Sequence, residues 1–309
     1  MNLTLRWKNR NAQPVTVTIH RGTAPLDPAN LPAPIATLTG GEDTYTDNDT
    51  VRNTLYYYVF KTEGNGDTVI SRNYPMRAVR HRGHGPTELL TGDYQLGYFG
   101  KISAQEFCGT ADLRRAIGIG GGTVTEYVPG WHKFVRNNKI LFIPDKVLVK
   151  NVAWSQFYAA GAVYGKDDTG PAASPSNKVQ DAKITIGGYT YRIRLPKGIS
   201  EDGIDGGNGS TNVAGPGTIC EYNDLVYPLM SFTPPGQRLY NVQQVTPLAF
   251  GMPSTVYGIL CQELVTDNPA RNIHRGTSVA SRDGAASYSS TPIAVANFGW
   301  LPVLELIET

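Results

Sequence analysis

The stretch WHKFVRNNKILFIPDKVLVKNVAWSQFYAAGAVYG, residues 131–165, decides the fold class. Two apolar runs, Trp131–Val135 and Lys139–Ile143, are rich in the β-branched and aromatic residues that favour strands. They flank Asn137-Asn138, and asparagine tolerates left-handed backbone, so the spacing predicts a tight antiparallel hairpin. An extended run follows at Val147–Val149. At Ala153 the period changes: Trp154, Phe157, Tyr158 and Gly161 fall on one helical face. One segment thus predicts strands with a short helix, a mainly β protein with some α.

The neighbouring segments agree. KITIGGYTYRIRLPKG, residues 183–198, alternates Ile184 and Ile186, turns at Gly187-Gly188 and returns through Tyr189, Tyr191, Ile193 and Leu195, a second hairpin. EYNDLVYPLM, residues 221–230, predicts a short helix or strand. The C-terminal run predicts a buried strand over Pro302–Ile307. Upstream, Ser103 is placed to cap a short helix starting at Ala104, and a second helix is expected over Thr110–Ala116.

The N-terminal part has its own strand pattern. Leu3, Leu5 and Trp7 alternate with polar residues, as do Val15, Val17 and Ile19. The Pro-rich APLDPANLPAP, residues 24–34, suits neither a helix nor a central strand. Further strands are expected at Ile35–Leu38 and Leu55–Lys61. A turn at Gly64–Gly66 leads into a return strand through Thr68–Ser71. Arg77–Pro86, RAVRHRGHGP, predicts a solvated linker, with His81 and His84 too few for a metal site. The expected organisation is a β-sandwich over residues 1–76, a linker over 77–88 and a larger domain over 89–309.

Composition bounds the function. Of 309 residues, 34 are Gly, 21 Pro and 17 Tyr, which favours short strands and long loops over helices. The net charge of +2 gives no strong attraction to nucleic acid or anionic lipid, so neither partner is expected. The N-terminus lacks a signal-peptide core and no apolar run approaches membrane-spanning length, so a soluble chain outside the secretory route is expected, with no membrane insertion. Cys108, Cys220 and Cys261 are too far apart for a local zinc pattern and read as reduced, buried thiols, with contexts that do not pair Cys220 and Cys261.

Chemistry-bearing motifs are few. GIGGGT, residues 118–123, lacks the Gly-Lys-Ser/Thr of a phosphate loop and has Thr123 where a dinucleotide fingerprint has its third glycine, so it reads as a plain turn. The glycine-rich 201–217 loop, with Asp202, Asp205 and Asn208, departs from calcium-loop spacing and reads as a surface loop. The five histidines, His20, His81, His84, His132 and His274, fall in no catalytic or metal motif, and no nucleophile elbow occurs. No catalytic residue, cofactor or metal is therefore expected. The Asp and Glu supply leaves a glycosidase-like carboxylate pair open. Tyr240, Tyr257 and Tyr288 either stack on sugars as ligand-contact residues or pack the sheet; the sequence supports both readings equally.

The residues also carry resemblances. Tyr45-Thr46-Asp47, a loop and Thr54-Leu55-Tyr56-Tyr57-Tyr58-Val59 resemble the late strands of fibronectin type III domains, with Trp7 matching their early core tryptophan. The resemblance covers about residues 1–75, short for a sandwich of about 100 residues, which implies a first strand that is missing or supplied by a neighbour. Four elements in order, Trp131–Gly165, Ile184–Gly198, Glu221–Pro228 and Gly299–Leu306, resemble a domain of tailed-bacteriophage virion structural proteins. Tyr222 stands where that family often has Trp, and Leu301 where it often has Arg. The closing Gly-Trp-x-Pro-Val-Leu strand also resembles C-type-lectin-like folds. The resemblance implies a non-enzymatic virion component, assembled in the host bacterial cytoplasm, on a tail fibre, collar, baseplate periphery or capsid surface. Its implied partners are other virion proteins, further copies of itself as a homo-oligomer, and a host cell-surface glycan. The alternatives are a glycan-binding adhesin, or a glycan-degrading virion enzyme.

Overall fold

The computed structural model describes residues 3–7, 15–51, 54–78, 83–199, 219–230, 235–236, 258–276 and 288–307. The chain divides into two compact units, Met1–Arg82 and Gly83–Ile307. The fold is mainly β with some α.

The first unit contains β1 (Leu3–Arg6), β2 (Thr16–Gly22), β3 (Ala36–Leu38), β4 (Thr44–Asp47), β5 (Leu55–Gly64), β6 (Asp67–Ile70) and β7 (Tyr74–Arg77). β1 and β4 form a two-stranded sheet; β3, β2, β5 and β6 form the other in that order, with β7 also pairing with β5. Period-2 alternation turns Leu3, Leu5, Val17, Ile19, Tyr56 and Tyr58 inward. β4 and β7 escape the sequence reading because each is only four residues long, and β7 carries a proline.

Asp47, 2% exposed, ends β4 and ties the two sheets together. It accepts two bonds from Arg21 Nη1 on β2, at 2.9 and 2.8 Å, and one from Tyr58 Oη on β5, at 2.8 Å. Burial first, and then the Asp47 carboxylate, push the Tyr58 phenol up. Tyr58→Phe is expected to cost about 1 kcal/mol. Asp47→Ala, which strips the Tyr58 hydroxyl of its acceptor and leaves Arg21 only Asp49, is expected to cost about 3 kcal/mol. Urea unfolding of the two variants checks that order; equal and negligible losses would contradict it.

Among its described residues the second unit adds thirteen strands: β8 (Thr91–Gly92), β9 (Leu96–Ile102), β10 (Thr123–Val124), β11 (Trp131–Arg136), β12 (Lys139–Pro144), β13 (Val149–Val152), β14 (Lys183–Ile186), β15 (Tyr189–Arg194), β16 (Ile259–Val265), β17 (Asn268–Arg275), β18 (Tyr288–Pro292), β19 (Phe298–Trp300) and β20 (Val303–Leu306). Seven form one sheet in the order β14-β15-β20-β12-β11-β9-β8; six form another in the order β10-β13-β19-β16-β17-β18. The hairpin turn holds Asn137 and Asn138 at φ of 49° and 63°, the left-handed geometry that a two-residue connection needs.

The helices are α1 (Thr110–Ile117), α2 (Trp154–Ala159) and α3 (Tyr227–Met230), the last preceded by a π-helical turn over Tyr222–Val226. Trp154, Phe157 and Tyr158 of α2 are buried at helical spacing. The expected helix at Ala104 is only a turn: Ser103 and Glu106 bond each other's backbone N–H, a capping pair without a helix to cap. Three residues after Glu106, Gly109 caps α1, which takes the chain in its place.

One core cluster joins Phe99, Phe107, Trp131, Phe142, Trp154, Phe157, Tyr191 and Trp300. A second joins Phe134, Leu141, Ile143, Cys220, Tyr222, Leu225, Met230, Cys261 and Val303. The middle of the seven-stranded sheet contributes to both, so its strands are buried on both faces. This explains why β12, Ile140–Ile143, reads as a continuous apolar run rather than an alternating one.

Candidate functional site

Five separate stretches of chain gather around Arg275, the last residue of β17. Arg275, fully buried, donates through Nη1 to Gly198 O and through Nη2 to Asn223 Oδ1 at 2.8 Å. Its guanidinium lies 4.4 Å from the centroid of the Tyr222 ring. Glu263 Oε1 accepts from the backbone N–H of both Gly198 and Ile199 at 2.7 Å. Ile259 pairs with Arg275, and Arg275 with Tyr288. The segment after β15, the π-turn, β16, the end of β17 and the start of β18 thus converge on one buried polar cluster.

Behind it lies a second set of charges. Glu305 of β20 sits opposite Leu141 of β12 and Arg192 of β15, so Lys139 and Arg194 reach it diagonally, at 2.7 and 3.1 Å. Arg194 also grips Glu221 with both terminal nitrogens, at 2.7 and 2.8 Å. Arg136 of β11 bonds Asp224 at 2.7 Å. Burial alone would raise the Glu221 carboxyl. The Arg194 guanidinium, with Arg136 and Lys197 behind it, outweighs burial and brings that carboxyl down to about 2. Burial likewise works against Glu305, and Arg194 and Lys139 overcome it. The arrangement holds Glu221 and Glu305 ionised and paired, and so unsuited to donating a proton near neutral pH.

The cysteines fit the same account. Cys220 Sγ donates to Gly198 O at 3.3 Å, and a Cβ on Gly198 would come within 2.7 Å of Cys261 Sγ. The structure therefore brings Cys220 and Cys261 to the two sides of Gly198, a proximity that their sequence contexts hide. Burial pushes both thiols up, with Arg275 opposing it, which keeps them protonated and poorly nucleophilic. Cys108 lies elsewhere, under Trp131, and its thiol is also raised by burial.

Other sequence candidates resolve differently. Tyr240 and Tyr257 lie outside the described residues, as does the 201–217 loop. Tyr288 opens β18 opposite Arg275, at the rim of the cluster. The glycine-rich turn turns carbonyls toward Arg114, whose Nε bonds Ile119 O at 3.1 Å and whose Nη2 bonds Gly121 O at 3.2 Å. A phosphate cradle would instead point N–H groups inward. His132 is buried beside Tyr98, and burial with nearby Lys101 lowers it to about 3. His84 does not lie in solvent as a linker residue: Phe107, Tyr189 and Tyr191 surround it. Among the described residues no group of three His, Cys, Asp or Glu side chains is placed to hold a metal ion, and no helix is long and apolar enough to cross a membrane.

Sequence reasoning missed Arg194, Glu221, Glu263, Arg275 and Glu305. One signal was available: Glu263 interrupts the apolar run ILCQELV, and a charge inside a buried strand needs a partner. No protein-family model matches the chain, no curated protein matches its sequence, and no solved structure matches its fold.

Proposed function

We propose that the protein is a non-enzymatic structural component of a tailed-bacteriophage particle, built of a fibronectin type III-like sandwich and a larger C-type-lectin-like domain. The observation that carries the reading is the ordered set of four motifs along residues 131–306. Their charged members have structural work: Arg194 of the second motif, Glu221 of the third and Glu305 of the fourth form one buried ion-pair chain. That link gives a physical reason for the motifs to occur together. The strand order of the first unit, β1-β4 and β3-β2-β5-β6, supports the sandwich reading. The free edge of such a sheet would suit docking to another virion protein or another copy.

A second reading, a glycan-binding adhesin, rests on the resemblance of the closing Gly299–Leu304 strand to C-type-lectin-like folds. Pairing of Glu221, Asp224 and Glu305 with arginine weighs against a glycan-degrading enzyme. Electron microscopy of particles labelled with antibody against the chain tests the proposal. Label at a defined position, with no turnover of host glycans by the isolated protein, is the expected result. Unlabelled particles, or cleavage abolished by a single carboxylate substitution, would decide against it.

A further inference from the structure

We propose that residues 83–86 are a pH-operated strap on the second unit, with the His84 side chain as the latch. The sequence Gly83-His84-Gly85-Pro86 fastens itself at three points. His84 N donates to Tyr191 Oη at 3.2 Å, and His84 Nδ1 lies 2.8 Å from the same oxygen. Pro86 O accepts from Lys133 Nζ at 2.7 Å. The glycines on either side, at φ of +71° and +73°, let the chain lie flat: a Cβ on Gly83 would meet Tyr191 Oη at 2.9 Å, and one on Gly85 would meet Ile102 at 3.1 Å.

The latch works only with a neutral ring. With Tyr191 Oη accepting the His84 backbone N–H, its own hydrogen can go to Nδ1, which accepts it in the neutral Nε2–H tautomer. Protonation turns Nδ1 into a donor, leaving two donors on one oxygen and the phenol hydrogen without its acceptor. The elements around the ring offer no compensation. β11 presents the Lys133 ammonium, which sits over the Phe99 and Phe142 rings. β15 presents the Tyr189 and Tyr191 phenols, and Phe107 adds an apolar ring beside the raised Cys108 thiol. At the β14–β15 turn, Gly187 packs so closely that a Cβ would reach within 2.5 Å of Nε2.

Burial, helped by Lys133, accordingly holds the imidazole below its ordinary 6.5. A released strap regains the ordinary value, so it binds the proton first. Fastening is complete above 6.5 and weakens as the pH falls from there through the lowered value. Release frees the chain ahead of β8.

Amide exchange of the full-length protein, followed by NMR from about pH 8 to about pH 4.5 alongside the His84 ring resonances, tests this. The His84 amide is expected to lose protection by about tenfold or more, with the midpoint of the ring titration, while the β11 and β12 amides stay protected. His84→Gln should abolish that pH dependence, whether its strap is fast or loose throughout. A His84 amide that stays protected while the ring titrates, a midpoint away from the ring's, or an H84Q strap that loosens with the wild-type midpoint would each overturn the proposal.

Discussion

A chain that ends at Gly299 is expected to leave the second unit unfolded. β20 lies inside the seven-stranded sheet, between β15 and β12, and its loss would split that sheet in two. The deletion removes Trp300, Leu301, Val303 and Leu304, each fully buried, and Leu306, which is 7% exposed. Burial of each is worth about 1.5–3 kcal/mol. Together they approach the whole stability of a typical domain, about 5–15 kcal/mol. The loss also strips Glu305 from Arg194 and Lys139. Far-UV and near-UV circular dichroism of the truncated chain should show the β signal reduced and the aromatic signal of the second unit gone. A cooperative transition at the wild-type Tm would refute the central place given to this strand.

Arg194→Ala is the point substitution expected to cost most. It leaves Glu221 without its bidentate partner and removes one of two cations from Glu305, both carboxylates being buried. Breaking a buried pair from one side typically costs about 3–5 kcal/mol, since the remaining charge keeps its desolvation penalty. Arg194→Lys should fall between, because an ammonium cannot span both carboxylates with a planar fork.

The pH dependence separates this from simple loss of packing. In the wild type the Glu221 carboxyl is depressed to about 2 from 4.5, so its contribution is fully present above 4.5 and lost as the pH falls toward 2. In R194A burial dominates and the carboxyl rises. The variant should then gain stability on mild acidification, the opposite slope. Denaturation series at several pH values read this directly; parallel slopes for the two proteins would contradict the account.

Hairpins were legible in the sequence because their turns are local. Asn137-Asn138 and Gly187-Gly188 fix connection geometry within two residues, and the flanking alternation names the strands. Which hairpins share a sheet was not legible: β20 enters between two hairpins from more than a hundred residues away, and no local pattern marks that. β16 and β17 were missed because Gln262, Glu263 and Asn272 are buried polar residues that break an apolar pattern. Arg194 and Glu305 were not singled out, because a charged residue alternating with apolar ones in a strand ordinarily faces solvent. His84 read as linker because its cage is assembled from Phe107, Tyr189 and Tyr191, all distant in sequence. The Arg275 cluster was likewise invisible, since its members come from five separate stretches of chain.

The central claim, that this chain is built into a particle, is tested most directly by quantitative mass spectrometry of gradient-purified phage particles. The account predicts peptides covering the full-length chain at a fixed ratio to the major virion proteins across independent preparations. Particles free of the chain, with the protein confined to the soluble fraction of infected cells, would contradict it.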